Sequence, residues 1–221
     1  MMDQLFQAAG GAEQLSSGLH ILLVLTLMAV GPAILVLTTS FTRIVVVLAL
    51  TRQALGTPNI PPNVVLIPLA LFLTVLTMGT TFDKVYQDAV LPGLEGKLQP
   101  LEAYRLAAQP LREFMRRQTR HKEVSVLMEA ARLPPVDSIE EIPDRVLVPA
   151  FVLSELKTAL TMGFVIFLSF MAVDLVVAGV LMALGMFMVP PSMLSLPIKI
   201  LLFVMADGWN LVVHGLVQSI R

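Results

Sequence analysis

Five ionisable side chains lie inside strongly apolar stretches of the second half of the chain. They are Glu155, Lys157, Asp174, Lys199 and Asp207. A charged side chain at bilayer depth costs at least ~2.5–3.5 kcal/mol on insertion scales, so opposite charges on neighbouring helices are expected to pair. Asp174 precedes an uncharged loop by about as many residues as Lys199 follows it. Two antiparallel helices joined by that loop would bring both side chains to one level, which predicts an ion pair within or between subunits.

Two roles for these charges are open. In the first, ion pairs fix the register of helices in an assembly; in the second, Asp174 belongs to a proton relay. No carboxylate stands three or four residues from Asp174, and its apolar segment contains no histidine, which favours the structural role. The three histidines are scattered and cysteine is absent, so no metal site, thiolate nucleophile or disulfide is predicted. No phosphate-binding loop or Ser-His-Asp arrangement occurs, and we expect neither enzymatic activity nor a cofactor.

A second chemical feature is an uncharged, methionine-rich segment over residues 182–193. Its soft apolar side chains are Met182, Met186, Phe187, Met188 and Met193. Pro190 and Pro191 cannot continue a helix and Gly185 permits a bend, so two apolar helices are predicted to meet here at a short connection. Because methionine adapts to irregular gaps, two interpretations stay open. The segment fills core space in an ordinary helical hairpin, or a ring of such segments, one per subunit, closes a conduit and yields to something pushed through it.

The composition predicts a membrane-type, all-α chain of long kinked apolar helices with one polar, mostly helical insert. Of 221 residues, 56% are hydrophobic and 14% are charged, with a mean hydropathy of +0.82, whereas a soluble domain has about 25% charged residues. Residues 80–145 alone carry 10 basic and 11 acidic side chains. No region has the net positive charge that strong nucleic-acid binding needs. The predicted organisation is a polar N-terminal segment (1–18), a first hydrophobic hairpin (19–79), the polar insert (80–145) and a second hydrophobic hairpin (146–221) that contains the methionine-rich segment.

Proline and glycine positions predict where the apolar helices break. Gly31-Pro32 is predicted to divide the first apolar run, Leu19 to Leu50, and Pro197 is predicted to interrupt the last run, Leu194 to Ile220. Gly56 fits the position that follows a helix C-terminus. Broken helices at membrane depth are tolerated where they are buried in protein or face a cavity.

The insert and the N-terminal segment give weaker signals. Leu111 to Ala131 predicts one amphipathic helix, whose basic residues form either a basic patch or, as we favour, a solvated face. Residues 1–18 lack the basic start of a signal peptide, so no ordinary cleavable signal is expected. Arg43 and Arg52 favour a cytoplasmic loop after the first apolar run, which would place the insert outside the cytoplasm.

Several short motifs occur in the order found in one known family. They are SFTRIVVV at 40–47, ALGTP at 54–58, PPN at 61–63, ELKTA at 155–159, DLVVA at 174–178, LGM at 184–186, VPP at 189–191, SLPIK at 195–199 and DGW at 207–209. Together they resemble the FliP family of flagellar type III export-gate proteins, over nearly the whole chain from about residue 20. The virulence-secretion SctR counterparts are similar too, and the Gly-Thr-Pro and Val-Pro-Pro forms favour the flagellar branch.

The resemblance implies an assembly and a location. Family members form a ring of five copies with FliQ and FliR, the core of an export gate in the bacterial inner membrane and flagellar basal body. Their apolar helices build an assembly lifted largely out of the bilayer plane. The insert, 80–145, corresponds to the family's periplasmic domain. Other export-apparatus proteins are implied partners, and exported flagellar proteins are transient passengers.

The resemblance also implies site residues. The methionine-rich segment acts in the family as a gasket that seals the lumen, and the gasket residues carried over are Met186, Phe187 and Met188, flanked by Met182 and Met193. Residues expected in inter-helix or inter-subunit ion pairs are Glu155, Lys157, Asp174, Lys199, Asp207 and Arg43. The favoured function is therefore a core structural and gating subunit of the export gate. An ion-coupled secondary transporter or proton channel subunit is the alternative; it would show an internal repeat, and none is evident in the sequence.

Overall fold

The computed structural model describes residues 25, 26, 29–134, 138 and 141–220. Every regular element among these residues is helical, which confirms the predicted all-α fold for the described part of the chain. The chain divides into two compact units, Met1–Leu37 and Thr38–Arg221. The expectation about a signal peptide concerns residues 1–18, which lie outside the described residues.

The helices of the described residues follow one another with short connections. They are α1 (Ala29–Thr38), α2 (Phe41–Ala54), α3 (Asn63–Thr77), α4 (Gly79–Leu94), α5 (Pro100–Gln118), α6 (His121–Ala130), α7 (Asp144–Ala183), α8 (Pro191–Met205) and α9 (Gly208–Ser219). Residues Tyr86–Val90 form a π-helical turn within α4. Helices α4, α5 and α6 belong to the polar insert, whereas α2, α3, α7, α8 and α9 are the apolar helices of the second unit.

The core of the second unit forms where α2 lies along α7. The largest completely buried apolar side chains there are Ile44, Val47, Leu48, Leu147 and Phe151. The α5 residue Phe114 packs edge-on against Phe151, with 5.8 Å between the ring centroids. Val124 and Met128 of α6 join the same cluster. The helices of the polar insert therefore share one core with the apolar helices.

Helix α7 is the longest element and connects the insert with the methionine-rich segment. Its 40 residues extend over about 60 Å at 1.5 Å per residue. At its first turn, Asp144 accepts a hydrogen bond of 2.8 Å from Arg112 Nε on α5, and the two side chains form an exposed ion pair. Close to α2, Gly163 lies so near Leu50 that an added Cβ would stand 2.2 Å from Leu50 Cδ1. Absence of a side chain at Gly163 thus lets the two helices approach.

One described helix, α7, is long and apolar enough to cross a membrane, and up to four spans result if each bent helix pair counts as one. The bent pairs are α1 with α2, α3 with α4, and α8 with α9. The bend is 71° between α3 and α4 and 64° between α8 and α9. The predicted kinked apolar helices are therefore present.

The break predicted at Gly31-Pro32 is wrong. Helix α1 continues through both residues, and the chain leaves the helical path only at Thr39 and Ser40, before α2 begins. Pro32 is the fourth residue of α1 as bounded at Ala29. The first four N–H groups of a helix have no intrahelical partner, so a proline at this position removes no hydrogen bond.

The break predicted at Pro197 is also wrong. Pro197 lies inside α8, and the last apolar run turns instead at Asp207, whose φ of 51° is left-handed. A proline removes one hydrogen bond and bends a helix, whereas a left-handed residue ends the helical repeat. Gly208 completes the corner, because a Cβ there would lie 2.2 Å from Phe203 Cδ2.

The helix end predicted at Gly56 is confirmed. Helix α2 stops at Ala54, and Gly56 has a φ of +79°. The Gly56 N–H donates to the Gln53 carbonyl at 3.0 Å, and the Thr57 N–H donates to the Arg52 carbonyl at 3.4 Å. This pair of bonds is the Schellman arrangement, which favours glycine at the left-handed position.

The single amphipathic helix predicted from Leu111 to Ala131 is wrong. Two helices occupy this stretch, α5 and α6, and Thr119 and Arg120 between them have extended backbone. The Arg120 N–H donates to Ser154 Oγ of α7 at 3.0 Å. A hydrogen bond to a neighbouring helix thus replaces one along the insert helix. The hydrophobic periodicity carries no information about this exchange, because Ser154 is remote in sequence.

Candidate functional site

Helix α7 ends in a tight cap at the start of the methionine-rich segment. Gly185 has a φ of +74°, in the left-handed region that favours glycine. Its N–H donates to the Met182 carbonyl at 3.0 Å, and the Met186 N–H donates to the Leu181 carbonyl at 2.9 Å. Helix α8 then begins with Pro191 in its first turn. The predicted short connection between two apolar helices is therefore present.

The side chains of this segment are exposed in the single chain. Their exposed fractions are 94% for Met188, 78% for Phe187, 69% for Met193, 58% for Met182 and 43% for Met186. A methionine that fills core space is buried, as Met78 is with no exposed surface. The segment thus presents a soft apolar surface beyond the end of α7, and within one chain it does not fill a core.

Arg43 of α2 is the centre of a buried polar network. Its guanidinium binds both carboxylate oxygens of Glu155 on α7, with 2.8 Å between Nε and Oε2. It also donates to Gln118 Oε1 of α5 at 2.8 Å and to Ser219 Oγ of α9 at 3.2 Å. Arg43 is 3% exposed and Glu155 is completely buried. One side chain therefore connects four helices, and its charge is matched by a carboxylate.

Sequence reasoning placed Arg43 and Glu155 among the ion-pairing residues without naming the partner of either. It missed Gln118 and Ser219 altogether. Both are neutral residues at ordinary helix positions, and their partner Arg43 is 75 and 176 residues away along the chain. No local pattern in the sequence distinguishes them from other polar residues.

Asp174 and Lys199 face each other across the two helices that flank the methionine-rich segment. Lys199 Nζ lies 2.6 Å from Asp174 Oδ2, which makes an ion pair between α7 and α8 within one chain. The Lys199 side chain is 8% exposed and that of Asp174 is 38% exposed. The pair ties the hairpin together on the side of the segment where both helices are apolar.

Lys157 of α7 binds the insert. Its Nζ lies 2.9 Å from Glu123 Oε1 on α6. This hydrogen bond holds the pKa of Glu123 below its usual value, and the positive charges of Lys157 and Arg120 act in the same direction. Arg120 also donates to Thr158 Oγ1 of α7 at 2.9 Å. These contacts fasten α6 to the same stretch of α7 that carries Glu155.

Asp207 differs from the other charged residues of this set. Among the described residues it has no ion-pair partner, and its carboxylate accepts a hydrogen bond of 3.0 Å from Asn210 Nδ2. Its left-handed backbone places it at the corner between α8 and α9. Its observed role in a single chain is therefore to shape this corner. No group of three or more His, Asp or Glu side chains that could hold a metal occurs in the described part of the chain.

The motifs that are scattered along the sequence meet in pairs in the folded chain. Arg43 of SFTRIVVV binds Glu155 of ELKTA, and Asp174 of DLVVA binds Lys199 of SLPIK. A model of the FliP family matches residues 24–216. The chain belongs to the FliP family. The resemblance inferred from the motifs is therefore confirmed.

Relatives at high identity carry the same family name. The Bacillus subtilis (strain 168) flagellar biosynthetic protein FliP is 49% identical over 207 residues, which cover 94% of this chain and 94% of that protein. The Pectobacterium carotovorum subsp. carotovorum protein of the same name is 48% identical over 209 residues, covering 95% of this chain and 81% of that protein. A third, from Aquifex aeolicus (strain VF5), is 44% identical over 212 residues, covering 95% and 88%. These FliP relatives match this chain across both of its apolar regions and the insert.

Proposed function

We propose that this FliP-family chain is a structural and gating subunit of a flagellar protein export gate, without enzymatic activity. The observation that carries the proposal is the exposed, uncharged methionine-rich segment, which a glycine cap holds at the end of a 40-residue helix. Relatives named flagellar biosynthetic proteins support the flagellar system as its context. Several chains, five by family resemblance, would form a ring with FliQ and FliR and bring their segments together around one axis.

The seal in this proposal is a hydrophobic constriction. A narrow passage lined by apolar groups excludes water and ions because it offers them no hydrogen bonds or opposite charges. Methionine and phenylalanine supply such a lining, and the flexible thioether chains adapt to one another when the passage is closed. A polypeptide pushed through the ring displaces them without breaking ion pairs or hydrogen bonds. The gate residues are Met186, Phe187 and Met188, with Met182 and Met193 beside them.

The ion pairs keep the frame around this seal rigid. Asp174–Lys199 closes the α7–α8 hairpin that carries the segment, and Arg43–Glu155 fixes α7 against α2. Asp207 stays available for contacts between subunits. In the assembled gate the chain would belong to the bacterial inner membrane and the flagellar basal body, with residues 80–145 on the periplasmic side. The transporter alternative gains no specific support, because the carboxylate of Asp174, its candidate proton carrier, is bound to Lys199.

The proposal is tested by opening the seal. We expect the triple change Met186→Gly, Phe187→Gly and Met188→Gly to let ions and small solutes pass, because glycine leaves the constriction wide and wettable. The measurement is the release of a trapped dye from vesicles that contain the gate co-purified with its partner subunits. The matched control replaces Leu94 and Leu101 of the insert by glycine, since they are 79% and 63% exposed but far from the segment in sequence. Tight vesicles with an intact triple-variant assembly would contradict the gating role.

A further inference from the structure

Four thioether sulfurs are concentrated in the methionine-rich segment. Met182 stands in the last turn of α7, Met186 and Met188 in the connection, and Met193 in the first turn of α8. All four side chains are exposed, from 43% at Met186 to 94% at Met188. If only an apolar plug were required, leucine would serve as well. What methionine adds is a sulfur atom that small oxidants attack when they can reach it.

Other methionines of the chain are protected. Met78 has no exposed surface, and its sulfur lies 3.4 Å from the Ser40 backbone N–H that donates to it. Met115 and Met128 are each 4% exposed in the shared core. The same chain thus contains accessible and inaccessible thioethers, which provides an internal comparison for any oxidant.

We propose that the methionine-rich segment is a peroxide-sensitive modification site whose oxidation opens the seal. The thioether sulfur attacks one oxygen of hydrogen peroxide, the O–O bond breaks, and an S–O bond forms. The sulfur loses two electrons and becomes a sulfoxide, while the second oxygen leaves as water with both protons of the peroxide. The products are one methionine sulfoxide and one water per peroxide.

A sulfoxide changes the property on which the seal depends. It turns a flexible apolar side chain into a polar one that accepts hydrogen bonds. Polar groups in a constriction bind water, so a lining that excluded water when reduced becomes wettable when oxidised. Methionine sulfoxide is returned to methionine by reductase enzymes. The opening is therefore reversible in principle, and it couples passage through the gate to oxidising conditions. This inference rests on the proposed function of the segment.

The first experiment maps the modification. The gate co-purified with its partner subunits is exposed to hydrogen peroxide, and tryptic or chymotryptic peptides are followed by mass spectrometry. We expect Met182, Met186, Met188 and Met193 to gain one oxygen atom at least about tenfold faster than Met78, Met115 and Met128. Equal rates for the two sets, or no oxidation of the segment, would overturn the inference.

The second experiment connects modification to the seal. In vesicles containing the gate, the readout is the ratio of dye release with peroxide to dye release without it, measured for each variant separately. We expect a several-fold ratio for the natural chain and a ratio near one after Met182, Met186, Met188 and Met193 are replaced by leucine, which conserves volume. If the fourfold variant does not assemble, the double variant Met186→Leu, Met188→Leu is measured, and its ratio should fall below that of the natural chain.

Controls separate this inference from the proposed function. Met171→Leu and Met205→Leu remove exposed methionines (43% and 76%) outside the segment, and they should keep the natural ratio. Met186→Gln with Met188→Gln places polar side chains in the segment and should leak without peroxide. Leakage of that variant together with an unresponsive natural chain overturns only the peroxide inference. Tight vesicles for the Gln variant, like tight vesicles for the glycine variant, count against the gate itself. A leucine variant that still responds to peroxide places the lesion elsewhere and overturns the inference.

Discussion

At the scale of single residues, Arg43 shows how a charge can be buried in this chain. Its guanidinium lies among α2, α5, α7 and α9, and every one of its described partners is an acceptor on another helix. Removing one partner of a buried pair strands the other charge, whereas replacing both by apolar groups is often neutral. The network therefore matters most through the unpaired state that each single substitution would create.

We expect Arg43→Met to destabilise the chain by about 3–5 kcal/mol, because Glu155 would remain buried without a partner. The double change Arg43→Met, Glu155→Leu should recover a large part of that loss. Thermal unfolding in detergent, followed by circular dichroism, measures both. Lys84→Met is the control, since Lys84 forms only an exposed pair with Glu113 at 3.7 Å and should change stability by about 0–1 kcal/mol. Equal losses for Arg43→Met and the control would contradict the network.

The Glu123–Lys157 pair makes stability depend on pH. Because the folded chain lowers the pKa of Glu123, the pair stabilises the fold above the ordinary carboxyl pKa and loses its effect as pH falls through the lowered value. We expect Glu123→Gln to be less stable than the natural chain at neutral pH, and the difference to shrink toward zero on acidification. Unfolding temperatures across a pH series give this difference. A gap between the two proteins that stays constant into strong acid would show that proton binding at Glu123 is not its cause.

At the scale of secondary-structure elements, the close approach of α2 and α7 depends on Gly163. A single methyl group there would overlap Leu50 Cδ1 at 2.2 Å and Leu50 Cβ at 2.9 Å, and the second atom cannot rotate away. We expect Gly163→Ala to destabilise the chain by about 1–3 kcal/mol through overpacking. Thermal unfolding in detergent measures the change.

Gly179 is the matched control for Gly163 on the same helix. An added Cβ at Gly179 would meet no described atom within 4 Å. Gly179→Ala should therefore stabilise the chain by up to about 1 kcal/mol, because alanine is the better helix former. The two substitutions are chemically identical, so opposite signs would isolate the contact with α2. The same sign for both would mean that this contact does not set the spacing of the helices.

The sequence predicts the parts of this fold that are encoded locally. Gly56 was recognisable as a helix end because its left-handed conformation is one that glycine adopts without strain. The meeting of Asp174 with Lys199 followed from counting residues on either side of one connection. The turn at Asp207 was not recognisable, because a left-handed aspartate in an apolar run is held by its surroundings, including Phe203 beside Gly208. The partners of Arg43 were hidden for a similar reason, since they come together only after four helices have packed.

At the scale of the whole molecule, the single chain leaves much apolar surface uncovered. Between α2, α6 and α7 lies a groove of about 1050 Å³ whose wall includes Leu153, Leu160, Phe164 and Phe167. Leu160 and Phe164 are 56% and 63% exposed. Contiguous apolar surfaces of this kind mark sites of contact with other proteins or with lipid. Together with the exposed methionine-rich segment, the groove indicates a chain that completes its packing with other subunits.

We expect the purified protein, co-expressed with its neighbours in the export apparatus, to form a particle of several copies of the 24.1 kDa chain. Burial of the exposed apolar faces supplies the driving force. Light scattering with correction for bound detergent, or native mass spectrometry, gives the copy number. The same measurement on the chain expressed alone shows whether the partners are needed. A stable, well-behaved monomer in both preparations would contradict the ring.

Helix α7 has a mechanical consequence. The Arg112–Asp144 pair attaches one end of it to the insert, and the other end carries Gly185 and the methionine-rich segment about 60 Å away. A stiff rod of that length acts as a lever arm: tilting it by about 5° at the base moves the tip by about 5 Å, roughly the width of one side chain. Small rotations of the insert could thus be amplified into displacements large enough to draw the tips apart.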